Sequence, residues 1–212
     1  MSQQLGINPW LKMWVDPRRS IQAIVDYNPK FKFPLLSFIY GFPMMLHFMQ
    51  TISAAESLSL PVIVVLSLAL APFIGMLGIS IISGLLLWTG KWLGGKGSYL
   101  SIRAAVSWSN VPNIVNILMW LLLVVTFGSE LFLSAFAGAP FVGRELGIVG
   151  FAFFIQGVVS IWSFVILLQG LGQVQGFSAW KGLLNVILPF LLITVFMWLV
   201  LIVFWHPMPM QQ

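Results

Sequence analysis

The chain has 212 residues, of which 59% are hydrophobic and only 7% charged, with a mean hydropathy of +1.00. Ten basic and five acidic side chains cannot cover a water-soluble protein of this size, in which about a quarter of residues carry charge. A soluble enzyme, a disordered chain and a nucleic-acid-binding domain are thereby excluded. The composition points to an all-α polytopic membrane protein whose outside is solvated by lipid. The absence of cysteine excludes disulfides, thiol catalysis and thiolate metal sites. Two histidines, His47 and His206, are too few for a His-based metal site. No catalytic residue, cofactor or metal is expected.

Residues 1–32 form a segment ahead of the membrane. Asp16-Pro17 is a helix start, with Asp at the N-cap and Pro at the first helical position. Ile21, Ile24 and Val25 then share one face, and Pro29 ends the helix near Asn28. Arg18 and Arg19 stand at the wrong end for the helix dipole, which an anionic lipid surface would offset at about 1 kcal/mol per basic residue. Trp10 and Trp14 are placed to sit at headgroup level. Two readings stay open: an interfacial amphipathic helix on the cytoplasmic face, or a helix packed on its own chain's loops.

A five-span membrane domain over 33–206 follows, with spans at about 33–53, 73–91, 111–133, 146–168 and 183–205. Each is about 20 residues, the length that crosses roughly 30 Å of hydrocarbon. The stretch from Leu60 to Trp92 is long enough for two spans, with Pro72 mid-way. Charge decides between one crossing and two. One crossing, with the N-terminus inside, puts Lys12, Arg18, Arg19, Lys30, Lys32, Lys91, Lys96, Arg103 and Lys181 inside, and only Arg144 outside. Residues 60–71 are then an extension or an interfacial helix on the far side. The C-terminus lies outside. Small residues at Ser53, Ala54 and Ala55 imitate a signal-peptide cleavage site, but the long structured leader argues for retention.

Polar residues within spans carry the functional hypotheses, because lipid makes them costly. His47 would relay a proton or bind a ligand; the commoner reading is a neutral imidazole bonded to a carbonyl or interfacial water. No carboxylate falls mid-span, which counts against a proton- or sodium-coupled transporter. The junction of the second and third spans is the most polar part. Gly94, Gly95 and Gly97 break the helix there, a weak signal for a phosphate cradle. Arg103, Ser107 and Asn110 follow on one helix side and lead into Asn113 and Asn116. They form either a site for a headgroup or partner, or interhelical hydrogen bonds worth about 0.6–2 kcal/mol each. A similar Gly-rich turn lies between the fourth and fifth spans. Ser101 to Pro112 and Ser178 to Pro189 have equal spacing, which suggests two related hairpins, the second supplying Gln156, Gln169, Gln173 and Gln175. Gly75, Gly78 and Gly84, with Ser80 and Ser83, give a small-residue packing face.

Two runs carry a family resemblance: Asn8-Pro9-Trp10, Trp14, Pro17-Arg18, Ile21, Ile24 and Asn28-Pro29, then Gly94, Gly97-Ser98-Tyr99, Ala105, Trp108-Ser109 and Val111-Pro112. With these and its five-span plan, the chain resembles the Yip1 family of small polytopic membrane proteins, in its prokaryotic form. The resemblance implies a non-enzymatic protein and, for the prokaryotic form, the bacterial inner membrane. Eukaryotic members of that family sit in early secretory membranes and associate with Rab-type GTPases and with one another. The Asp-Leu-Tyr-Gly-Pro run those members carry is absent here, so GTPase binding is not carried over.

The expectation is a membrane scaffold or adaptor, with a small transporter, channel or lipid-handling protein as the alternative. Its lipid or partner surface is Trp10, Trp14, Arg18, Arg19, Lys96 and Arg103. Its intramembrane polar cluster is Asn110, Asn113, Asn116, His47 and Gln156. Expected partners are the bilayer, through anionic headgroups at the cytoplasmic face, and a second copy or another membrane protein. Nucleic acid is not expected.

Overall fold

The computed structural model describes residues 5–138 and 140–204. Among them every regular element is a helix. In chain order these are α1 (Pro9–Lys12), α2 (Pro17–Tyr27), α3 (Phe33–Thr51), α4 (Leu60–Trp92), α5 (Tyr99–Trp108), α6 (Asn113–Phe127), α7 (Gly143–Gln175) and α8 (Ala179–Phe204), with short 3-10 turns after α3 and α6. His206 and the expected last-span end at Trp205 lie outside the described residues.

Local signals set the early helices. The Asn8 side chain accepts the Trp10 N–H, and Asp16 Oδ1 accepts the Arg19 N–H at 3.3 Å. The α2 face carrying Ile21 and Ile24 is fully covered by the chain itself, against α5 and α7. It is therefore not free to enter a bilayer as an interfacial helix would.

Four helices are long and apolar enough to cross a membrane: Leu60–Trp92, Asn113–Phe132, Gly143–Gln175 and Ala179–Ile202. Five spans were expected. The expected first span is α3, a helix of 19 residues that is not among the four. Two prolines, Tyr40, His47 and Gln50 dilute its apolar run. The expected boundary at residue 73 does not appear. Leu60–Trp92 is one helix of 33 residues, continuous through Pro72 and about 50 Å long. α7 also has 33 residues and runs past the expected end at 168, so the second Gly-rich turn starts only at Gly176.

Glycine fixes how the helices meet. A Cβ on Gly41 would overlap the Ala71 carbonyl, and one on Gly75 would overlap the Ser37 carbonyl. The two glycines thus bring the backbones of α3 and α4 together reciprocally, the closest form of intramembrane packing. The small-residue face divides accordingly. Gly75 and Gly78 lie against α3, whereas a Cβ on Gly84 meets no described atom within 4 Å.

The core has two layers. One surrounds Leu36, Ile79, Ile102, Trp108 and Leu171, and the other surrounds Leu46, Ile63, Trp120, Leu131 and Phe132. α5 is buried almost all round and plugs the first layer. The two hairpins differ at this point. Pro112 separates α5 from α6, but Pro189 sits inside an unbroken α8, and the helix-capping serines are Ser98 and Ser178, not Ser101 and Ser178.

Gly41→Ala or Gly75→Ala is expected to destabilise the protein by about 1–3 kcal/mol, through forced separation of α3 from α4. Gly84→Ala should be neutral or gain up to about 1 kcal/mol of helix propensity. Thermal unfolding of the purified variants, followed by circular dichroism, checks both.

Candidate functional site

Gln175, the last residue of α7, is 1% exposed and anchors the polar end of the bundle. Its Nε2 donates to the Leu86 carbonyl at 3.2 Å, and its Oε1 accepts the Gly97 N–H at 3.4 Å. Its backbone carbonyl accepts the Lys96 N–H at 3.0 Å. A Cβ on Gly90 or Gly95 would overlap the Gln175 carboxamide, and one on Gly97 would lie 2.9 Å from the Val174 carbonyl. The glycine run is therefore a socket, but the group it holds is an amide of the same chain and not a phosphate. Gly176 ends α7 at φ +72°, and the Phe177 N–H returns to the Gly172 carbonyl at 2.9 Å, a glycine-terminated helix end.

A second seam joins α2 to the end of α7. Arg18 Nε donates to Gln169 Oε1 at 2.6 Å, and Gln173 Nε2 donates to Gln22 Oε1 at 3.0 Å. Both helices advance by four residues between these bonds, so they run parallel here. A Cβ on Gly172 would fall 2.8 Å from Arg18 Nη2, so the glycine leaves room for the guanidinium. Gly170 similarly admits Ala105. These two glycines read as helix breakers in the sequence, yet they sit inside α7 where other elements approach it.

Arg103 and the asparagines lie on α5, α6 and the turn between them. The Arg103 guanidinium carbon is 4.2 Å from the centre of the Phe33 ring and 5.7 Å from that of Tyr99. Such cation–π contacts are worth about 0.5–2 kcal/mol and hold the cation beside the rings. Ser107 donates to the Arg103 carbonyl at 2.7 Å. Asn110 Nδ2 donates to the Val106 carbonyl at 2.7 Å, Asn113 to Asn110 Oδ1 at 2.8 Å, and Asn116 to Asn113 Oδ1 at 2.7 Å. The expected polar stripe is thus a ladder of amides along one helix side, closed on its own backbone at the Asn110 end. At its other end Asn116 Oδ1 has no partner among the described residues, and neither has Gln156 Nε2 on α7.

The remaining expected residues separate. Trp10 is half-buried, with its ring centre 5.2 Å from that of Trp108, which also stacks on Phe31. Trp14 packs on the same layer. Arg19 and Lys96 are exposed. His47 is exposed on α3, edge-on to Trp120 at 6.4 Å, away from the asparagine ladder. Four cavities of about 320 to 470 Å³ lie among the described residues, and none of these four has His47, Asn116 or Gln156 in its wall. Among the described residues no three His, Cys, Asp or Glu side chains are grouped to hold a metal.

Sequence reasoning missed the Thr89–Asn185 pair. Thr89 Oγ1 donates to Asn185 Oδ1 at 2.7 Å between α4 and α8, both residues fully buried. Two polar residues inside otherwise apolar stretches were the available signal.

The Yip1 domain model matches residues 11–201. The chain belongs to the Yip1 family. No curated protein and no solved structure gives a match. Within this Yip1 domain, the matched region takes in α2, the glycine socket, the asparagine ladder and both polar seams.

Gln175→Leu keeps the size of the side chain but strands the Gly97 N–H and the Leu86 carbonyl. It should cost about 1–3 kcal/mol and raise hydrogen exchange at residues 94–97 above that at α4. Exchange measured by mass spectrometry tests this.

Proposed function

We propose that this membrane protein of the Yip1 family is a non-enzymatic scaffold or adaptor in membrane organisation, working through one charged end of its bundle. The observation that carries the reading is how polarity is distributed there. Gln22, Gln169, Gln173, Gln175, Asn110 and Asn113 are bonded to one another, to Arg18 or to backbone. The cations Lys12, Arg19, Lys30, Lys32, Lys91, Lys96 and Lys181 stand exposed around them. Bonded polar groups give rigidity, and unpaired surface charge gives attraction to an oppositely charged lipid face or partner. The exposed acids Glu56, Glu130 and Glu145 lie on segments at the opposite ends of the same helices.

In this reading α3 crosses the bilayer with the four more apolar helices. The basic end then faces the cytoplasm of a bacterial inner membrane, and the C-terminus lies outside. The occupant of the basic end is the anionic lipid leaflet together with an acidic surface of a second copy or another membrane protein. The chain lacks cysteine, so single-cysteine variants report topology directly. A cysteine at Lys96 should resist a membrane-impermeant thiol reagent in intact cells, and one at Ser57 should react. The reverse labelling would sink the orientation. Crosslinking in native membranes tests the adaptor role. Arg19→Glu with Lys96→Glu should lower recovery of crosslinked complexes about fivefold or more at low salt, with the helical spectrum unchanged. Equal recovery would count against the basic end.

A further inference from the structure

A groove of about 320 Å³ opens between the N-terminal segment and α7. Trp14, Asp16 and Arg18 line one side, and Trp162, Val165 and Gln169 the other. We propose that this groove binds one phospholipid bearing a phosphoethanolamine headgroup, with its phosphate on Arg18, its ammonium on Asp16 and an acyl chain along Trp162 and Val165. The inference needs only that α7 faces lipid, and it stands whether or not the chain acts as a scaffold.

The groove is graded from polar to apolar. Gln169 is the first polar residue after the run Phe164 to Leu168, so it marks where α7 leaves the hydrocarbon. Trp162 lies about two turns, or 10 Å, deeper, and is 43% exposed on the lipid side. An amphiphile fits such a gradient, and a free anion does not use its lower half.

The charges at the polar end select the headgroup. Arg18 donates its Nε–H to Gln169, which fixes the guanidinium; Nη2 lies beside Gly172, and no described residue accepts a hydrogen bond from either Nη, so the groove-lining guanidinium keeps donors for a phosphate. The first turn of α2, eleven residues long, adds its positive end. Asp16 lines the groove, and only its Oδ1 is engaged, by the Arg19 N–H. A carboxylate there repels a net-anionic headgroup such as phosphatidylglycerol. Phosphocholine brings no N–H for it. Phosphoethanolamine brings a phosphate for Arg18 and three N–H donors for Asp16. At this groove the proposal is a zwitterionic headgroup, beside the anionic leaflet proposed for the exposed cations of the same end.

The test uses the full-length protein, purified in detergent and stripped of lipid, with unfolding followed by circular dichroism. The added probes are dioleoyl phosphatidylethanolamine, phosphatidylcholine, phosphatidylglycerol, glycerophosphoethanolamine and inorganic phosphate. Phosphatidylethanolamine should raise Tm most, growing with the logarithm of its concentration, and the two water-soluble probes should leave Tm unchanged. Asp16→Asn keeps the helix cap, and it should lower phosphatidylethanolamine affinity about tenfold, to the level of phosphatidylcholine. Arg18→Gln should weaken all three lipids. Val165→Trp fills the apolar end without touching the charged pair, and it should abolish the phosphatidylethanolamine shift even where Arg18→Gln fails to fold. The proposal is overturned if phosphatidylcholine or phosphatidylglycerol stabilises the wild type as well as phosphatidylethanolamine does. It is equally overturned if inorganic phosphate reproduces the shift, or if Val165→Trp keeps it.

Discussion

The carboxamide of Gln175 is the contact from which the polar end of the molecule is organised. It lies at the tip of α7, inside the turn that leaves α4, where water is excluded. A buried amide without partners costs about 1–3 kcal/mol per stranded group, so its bonds to Leu86 and Gly97 are strongly favoured. Meeting them requires glycine at 90, 95 and 97, because any Cβ would meet the amide or the neighbouring carbonyl. That requirement fixes the turn, the turn fixes where α5 begins, and α5 enters the middle of the bundle. The N-terminal segment then has a surface to close on, through Trp10 and Phe31 against Trp108.

The same logic explains why so polar a junction shows no sign of chemistry. Ser107 and Ser109 return their hydroxyls to carbonyls three or four residues back. The asparagines pass hydrogen bonds along one another. Arg103 is held by rings and not by a carboxylate, and its Nε is buried without a hydrogen-bond partner among the described residues. Groups committed in this way are poor general acids or nucleophiles, and they make a stiff platform. Exposed side chains are left to make outside contacts, and among the charged ones at this end Lys and Arg outnumber the two acids, Asp16 and Asp26.

What the sequence made legible was local. Asp16-Pro17 announced α2 because a cap and a fixed φ act within one turn, and long apolar runs announced the spanning helices because burial in lipid needs no partner. What it hid was tertiary. A glycine that breaks a helix and one that admits another backbone look alike, so Gly170 and Gly172 suggested a turn where α7 continues. A glycine run that cradles phosphate and one that holds a carboxamide also look alike, and only the position of Gln175 separates them. Pro72 suggested a boundary, yet it lies inside a helix, as Pro189 does, and lipid-embedded helices tolerate both. Of the expected site residues, the three asparagines come together because they follow at three-residue intervals through the turn after α5 and the start of α6. His47 and Gln156 belong to other helices, and no spacing along the chain could say which way they faced.

The α2 helix shows how both sequence readings of the N-terminal segment were incomplete. Its apolar face, Ile21 and Ile24, is shut against α5 and α7, so hydrophobic insertion cannot be its link to the bilayer. Its second face, Arg18 and Gln22, is bonded to α7 in register. Its third carries Arg19 and Asp26 to solvent. Where the N-terminal segment meets α7, the groove wall holds one carboxylate, Asp16, and one guanidinium, Arg18, beside the apolar Trp162 and Val165. Net charge therefore misleads at this spot. The surplus of basic residues describes the whole end of the molecule, whereas a single headgroup in the groove would meet a balanced pair.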